Sequence, residues 1–377
     1  MMKVSNSPAF LAVLLTGLMC PAFLDSLGQD STPIKVSLRS TGAPQFPTGY
    51  WLSDSDPHFR HSMDKVFWVN SENVAMTFFK EFCCQSGSGR GVVNGAAVFD
   101  ASGKKVATHQ WTSTPGAHFF AEGGAGFFWL QYDDHIDLLK PDFTVAGQIP
   151  LPKTTSPALQ ATLHTFLIPS KSGKWIALDE AGKLTIYAAG ESSPTASFTI
   201  PVETWVADFT NHAVLLKSKA RESCSLGVWP IDGTRGTGWY VQDPASNPHS
   251  ECLRGLGLIS DDAALVEGNS VPLGSDVELK SEIVHRGGSA EPIPTPGEVL
   301  GIAASDRIAF QTFHPSGLAK FLDTDFGGHK EFTVYDTSKK TVIFHKTMGG
   351  QAGAAIALDG RHFAIVEGNS LLIYSLP

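Results

Sequence analysis

Nothing in this 377-residue chain is long and apolar enough to cross a bilayer. Its apolar run near the start, Ala9 to Met19, falls short of the ~20 residues a spanning helix needs. That run follows a short segment holding Lys3 and precedes the small-residue stretch Ser26-Leu27-Gly28, so residues 1–28 read as a cleaved secretory signal peptide. The exported chain is then 29–377, secreted or periplasmic. A lipoprotein signal places a small residue before its cysteine, whereas Met19 precedes Cys20.

Basic clusters are lacking as well. The formal net charge is −9, and no run of Lys and Arg offers a face to nucleic-acid phosphates, which excludes a non-specific nucleic-acid binder. No Gly-x-Ser-x-Gly elbow, His-Glu-x-x-His pair or phosphate-cradling glycine loop ahead of a helix is present, and nothing in the sequence requires a cofactor.

What the chain does have is turns. Thirty-seven glycines and 23 prolines punctuate a composition that is 42% apolar and 17% charged, which suits a globular all-β fold of short strands. The clearest repeat is the last one, 356–376, which reads as strand, Asp359-Gly360 turn, strand, Gly368-Asn369 turn, strand. Degraded relatives recur every ~40 residues, the period of β-propeller blades. The first unit takes in Lys65–Val69, Asn73–Phe79, Gly95–Asp100 and Lys105–Trp111; between its last two runs, Asp100 caps a turn through its side chain and Gly103 supplies positive φ. Further units are expected over 126–150, 164–200, 205–241, 256–293 and 299–345, the fifth poorly marked apart from runs at Ala263–Glu267 and Val277–Ile283.

The final unit offers three strands, and one is missing. Ile34 to Arg39 alternates apolar and polar residues without a sequence neighbour to pair with, so it is expected to close the last sheet from outside. The count is about seven four-stranded blades, with six or eight as alternatives, in one domain. Each small sheet has two apolar faces and must stack on both sides. Phe67, Trp68, Phe78, Phe127, Trp129, Trp175, Trp205, Trp229 and Trp239 are accordingly assigned to packing between blades.

The turn-and-strand pattern of Ser170–Leu178 with Leu184–Tyr187, and of Leu358–Val366 with Leu372–Tyr374, resembles the bacterial WD40-like and YVTN-type propeller repeats. The resemblance covers nearly all of the exported chain and implies a fold; the Trp-Asp dipeptide of eukaryotic WD40 repeats does not occur.

Once Cys20 is removed four cysteines remain, an even number in an exported protein, and disulfides are expected. Cys224 and Cys252 would staple the end of the fourth blade to the start of the fifth. Cys83 and Cys84 are adjacent in a glycine-rich loop. They could form a vicinal ring resembling that of alcohol-oxidising quinoprotein propellers, cross-link to Cys224 and Cys252, or remain thiols.

Candidate ligands for ions or small molecules are scattered. His58 and His61 are a weak metal pair in a Pro/Ser/Asp-rich stretch, and Asp133, Asp134, His135 and Asp137 crowd a turn. The long insertion of the sixth unit holds His314, Asp323, Asp325 and His329, and leaves by the same connection that carries Cys83 and Cys84 in the first. Loops on a rigid ring are where function collects. The expected function is a monomeric binding or scaffold protein that presents loops to a protein, peptide or glycan. The alternative is a hydrolase or lactonase-like enzyme with a His/carboxylate site, with or without metal, at the mouth of the central channel.

Overall fold

Consecutive strands pair into seven antiparallel sheets arranged as the blades of a β-propeller. The computed structural model describes residues 32–38, 51–52, 66–82, 91–113, 122–131, 134–151, 166–180, 182–200, 204–220, 223–231, 238–241, 254–268, 280–295, 297–315, 328–350 and 352–377. No helix occurs among them. Blade one comprises Val66–Trp68, Asn73–Phe82, Gly91–Asp100 and Lys105–Ser113. Blades two to five occupy 122–150, 166–199, 204–241 and 254–292. Blade six is Glu298–Ile302, Arg307–His314, His329–Asp336 and Thr341–Gly349, and blade seven contributes Gly353–Ile356, His362–Glu367 and Ser370–Ser375.

The fourth strand of blade seven comes from the other end of the chain. Ile34–Ser37 pairs antiparallel with Ser370–Ser375, Ile34 opposite Ile373 and Ser37 opposite Ser370, and the amide of Leu38 donates to the carbonyl of Asn369. The count is therefore seven, closed as the alternating pattern at Ile34 implies. Two strands escaped the sequence. Glu122–Gly124 begins blade two, and Trp51–Leu52 pairs with Phe78 and Phe79 as a fifth strand of blade one. In blade five the third described strand is Lys280–His285, so the start expected at Val277 lies outside the described residues.

Why these strands face both ways is visible in their burial. The middle strands are apolar runs covered on both sides, as in His362–Glu367 and Lys183–Ala188, while an outer strand such as Pro194–Thr199 is largely exposed. The core accordingly divides into seven clusters, one in each joint between neighbouring blades. Val36 and Leu38 belong to the cluster that joins blade seven to Val66, Trp68, Met76 and Phe99 of blade one. First strands touch in succession from blade three to seven, then on to blades one and two, and so line the centre. Phe67 meets Phe128 edge-on at 5.6 Å, and Trp68 stacks on His362 at 5.5 Å while its indole donates to the carbonyl of Ala355. Trp129 is buried, and Phe127, Trp175, Trp229 and Trp239 pack partly buried against their clusters, as assigned; the side chains of Phe78 and Trp205 lie outside the description.

The two faces of the disc differ. On one, the connections within blades run from two to five residues, with the single exception of 231–238. Every connection longer than eight residues leaves from strand ends on the other face, among them 151–165, 242–253, 269–279 and 315–328. The short turns are built by side chains. Asp100 accepts from the amides of Ser102 and Lys104, and Gly103 there has φ +82° with the methyls of Val36 and Ile34 so close that a Cβ would lie 2.7 Å from one of them.

Candidate functional site

On the face of the long connections, the two strands that bear the insertion of blade six end in a pair of histidines. His314 and His329 oppose each other in the strand register, and their rings stack at 4.8 Å with 18° between planes. Glu331 follows His329 by two residues and so projects from the same side of its strand. Its Oε2 stands 3.5 Å from His314 Nε2 and 3.7 Å from Nε2 of His345, which the fourth strand contributes. One ligand atom each of His314, His329 and Glu331 lies within 4.8 Å of the others. His314 Nε2 is shut off from solvent and makes no hydrogen bond. Deeper along the same rows, Phe310 and Tyr335 pack against blade five, so the cluster caps the joint between blades five and six.

Of the ligand-loop residues expected from sequence, His314 and His329 are thus brought together, while Asp323 and Asp325 lie outside the described residues. So do His58, His61, Cys83, Cys84 and Cys252; Cys224 lies on Ser223–Pro230, opposite Lys219, with its side chain undescribed. Glu331 and His345 were not singled out beforehand. The alternation His329, Lys330, Glu331 is a strand-period signal that could have found the first; His345 depends on pairing with the third strand, which no local pattern discloses.

Elsewhere carboxylates and histidines serve the ring itself. His135 is held between Asp134, at 2.6 Å, and Asp137, at 3.4 Å, and Asp137 also accepts from Gln148 at 2.8 Å. Beside them an open cleft of about 420 Å³ runs between blades two and three, lined by His135, Gln148, Pro150, Gly190 and Glu191. Near the centre, Lys171 of blade three meets Asp208 of blade four at 3.3 Å. Burial pushes the Lys171 ammonium below its ordinary pKa, against the opposing pull of Asp208 and of Asp306. Asp208 also accepts from the amide of Leu258 in blade five at 2.6 Å, and Asp179 of blade three from Val206 in blade four at 2.8 Å. Both residues lie beside register shifts in the first strands of their blades, and the carboxylates satisfy their amides.

No protein-family model matches the sequence, and no curated protein matches it. Solved structures do. The chain is similar to the WD40 domain of Pan2 from Neurospora crassa, at 12% identity over 93% of this chain and 97% of that one, with a TM-score of 0.43. It is similar to the β-propeller domain of the Trilobed protease from Pyrococcus furiosus, at 10% identity over 88% and 94%, with a TM-score of 0.49. The WD40 domain of SCAP from fission yeast matches at 10% identity over 83% and 95%, with a TM-score of 0.40. At such identities the likeness concerns the fold alone.

Proposed function

We propose that this protein is an exported, monomeric binding or scaffold propeller whose long-connection face engages a protein, peptide or glycan. The observation that supports this is the unequal division of connections between the two faces. A seven-bladed ring closes with short turns alone, so length confined to one face is length the fold does not need. The hydrolytic reading places histidines and carboxylates over the channel mouth. Here both described histidine–carboxylate groups lie away from the first strands, one on the second to fourth strands of blade six and one at the third strand of blade two, while Lys171 and Asp208 tie blades together. Binding therefore stands first.

The test uses a peptide display library and a glycan array against three proteins. These are the wild type, a variant with 316–327 replaced by a short Gly-Ser linker, and Arg361→Glu on the short-turn face. Ligands should be lost with the shortened connection and kept with Arg361→Glu; retention by the first variant, or loss only with the second, overturns the assignment. Disulfides belong to the same proposal, with Cys224 bridging Cys252 and Cys83 closing on Cys84. A thiol count on denatured protein should find none free, and four free thiols would end it.

A further inference from the structure

We infer that His314, His329 and Glu331 form a binding site for a zinc-class divalent cation at the root of the blade-six insertion. The donor set decides the class. Two imidazoles and one carboxylate suit Zn²⁺, Co²⁺ or Cu²⁺, whereas Mg²⁺ and Ca²⁺ take oxygen shells. The spacing agrees. Ligands ~2.0–2.1 Å from a tetrahedral ion lie about 3.3 Å apart, and the separation of His314 Nε2 from Glu331 Oε2 is 3.5 Å, with all three ligand atoms inside 4.8 Å.

The second observation is the state of His314. Apart from the 3.5 Å approach of Glu331 Oε2, which makes no hydrogen bond, this solvent-shielded ring nitrogen has no partner, and that costs free energy unless something occupies its lone pair. A cation between the three residues removes that cost. His345 flanks the same carboxylate oxygen from the fourth strand at 3.7 Å and helps to hold it, which leaves a tetrahedral ion one further position for water or a group from a ligand.

The place of the site gives it a role. It ties the last residue of the second strand to the first and third positions of the third, across the fourteen residues of the longest connection within any blade. A bound ion therefore fixes both ends of that connection at one point, on the face proposed for partner binding. The site is independent of that proposal, because the ion can be measured without any partner.

The experiment uses untagged full-length chain, stripped of metal with a chelator and titrated with Co²⁺ near neutral pH, followed by Zn²⁺ displacement. One equivalent of Co²⁺ should bind with the visible ligand-field bands of low coordination, and Zn²⁺ should abolish them. His329→Gln and Glu331→Gln should each weaken binding at least tenfold, while the double variant His58→Gln/His61→Gln keeps the wild-type affinity. His329 is exposed, so its variant should fold even if that of Glu331 does not. Non-saturable binding, undiminished binding in His329→Gln, or loss in the His58/His61 double variant overturns the inference.

Discussion

Removing the apolar side chains of the N-terminal strand should loosen the far end of the chain and little else. Leu38 is fully buried and Val36 is 6% exposed, both in the joint between blades seven and one. Leu38→Ala should cost about 3 kcal/mol through lost transfer energy and an unfilled cavity, and Val36→Ala about 1.5 kcal/mol. Because they share neighbours, the pair should total roughly 4 kcal/mol. At 1.4 kcal/mol per factor of ten, the open joint becomes roughly a thousand times more populated. Native-state hydrogen exchange reads this directly. Amides of Ser370–Ser375 should lose about three orders of magnitude of protection while those of Trp175–Glu180 in blade three keep theirs. Unchanged protection in Ser370–Ser375 would show that the strand is not the clasp, and equal losses in both segments would show that the ring opens only as a whole.

Two further outcomes follow from electrostatics. The carboxyls of Asp100, Asp142 and Asp336 all titrate below the ordinary 3.8, because turn hydroxyls and amides outweigh burial where burial opposes them and, at Asp142, the bond from Thr144 leads. A depressed folded-state pKa means stability that is complete above 3.8 and lost as pH falls through the lower folded values, so melting temperature should drop below that point. Asp336→Asn should melt lower than wild type at neutral pH, with a gap that closes toward about pH 2; a gap independent of pH refutes the linkage. For the pair near the channel, Asp208→Ala strands both the Lys171 ammonium and the Leu258 amide and should cost about 3–5 kcal/mol. Lys171→Met leaves Asp208 its two amide donors and should cost about 1–2 kcal/mol, so urea denaturation giving the reverse order would count against this account.

Much of the ring was legible because its information is local. Asp359 and Gly360 announce a tight turn, and the glycine indeed sits at φ +71°, where a Cβ would strike Ser305. Ile34 to Ser37 alternates so clearly that a strand without a neighbour had to find one. Glu122–Gly124 was invisible because a Glu-Gly-Gly strand holds no β-branched or aromatic residue; pairing with Phe127, Phe128 and Trp129 makes it a strand. The cluster in blade six divides in the same way. His314 and His329 stood out as the polar ends of an insertion, whereas Glu331 and His345 join them only through register across three strands. A one-residue slip would have sent them to the opposite side.

Pairing Ile34 with Ile373 also sets an order of events. The partners are separated by 339 positions, a chain closure that costs on the order of 5 kcal/mol of entropy before any contact repays it. The closing step therefore comes late, after blades built from adjacent strands have formed, and it raises the contact order of an otherwise local fold. Until then Ser370–Ser375 presents a bare, apolar edge on one flank of a nearly finished ring. The hazardous interval is the one between completion of the last strand and the return of the first, so slower docking of that single strand should leave more newly made protein open to aggregation.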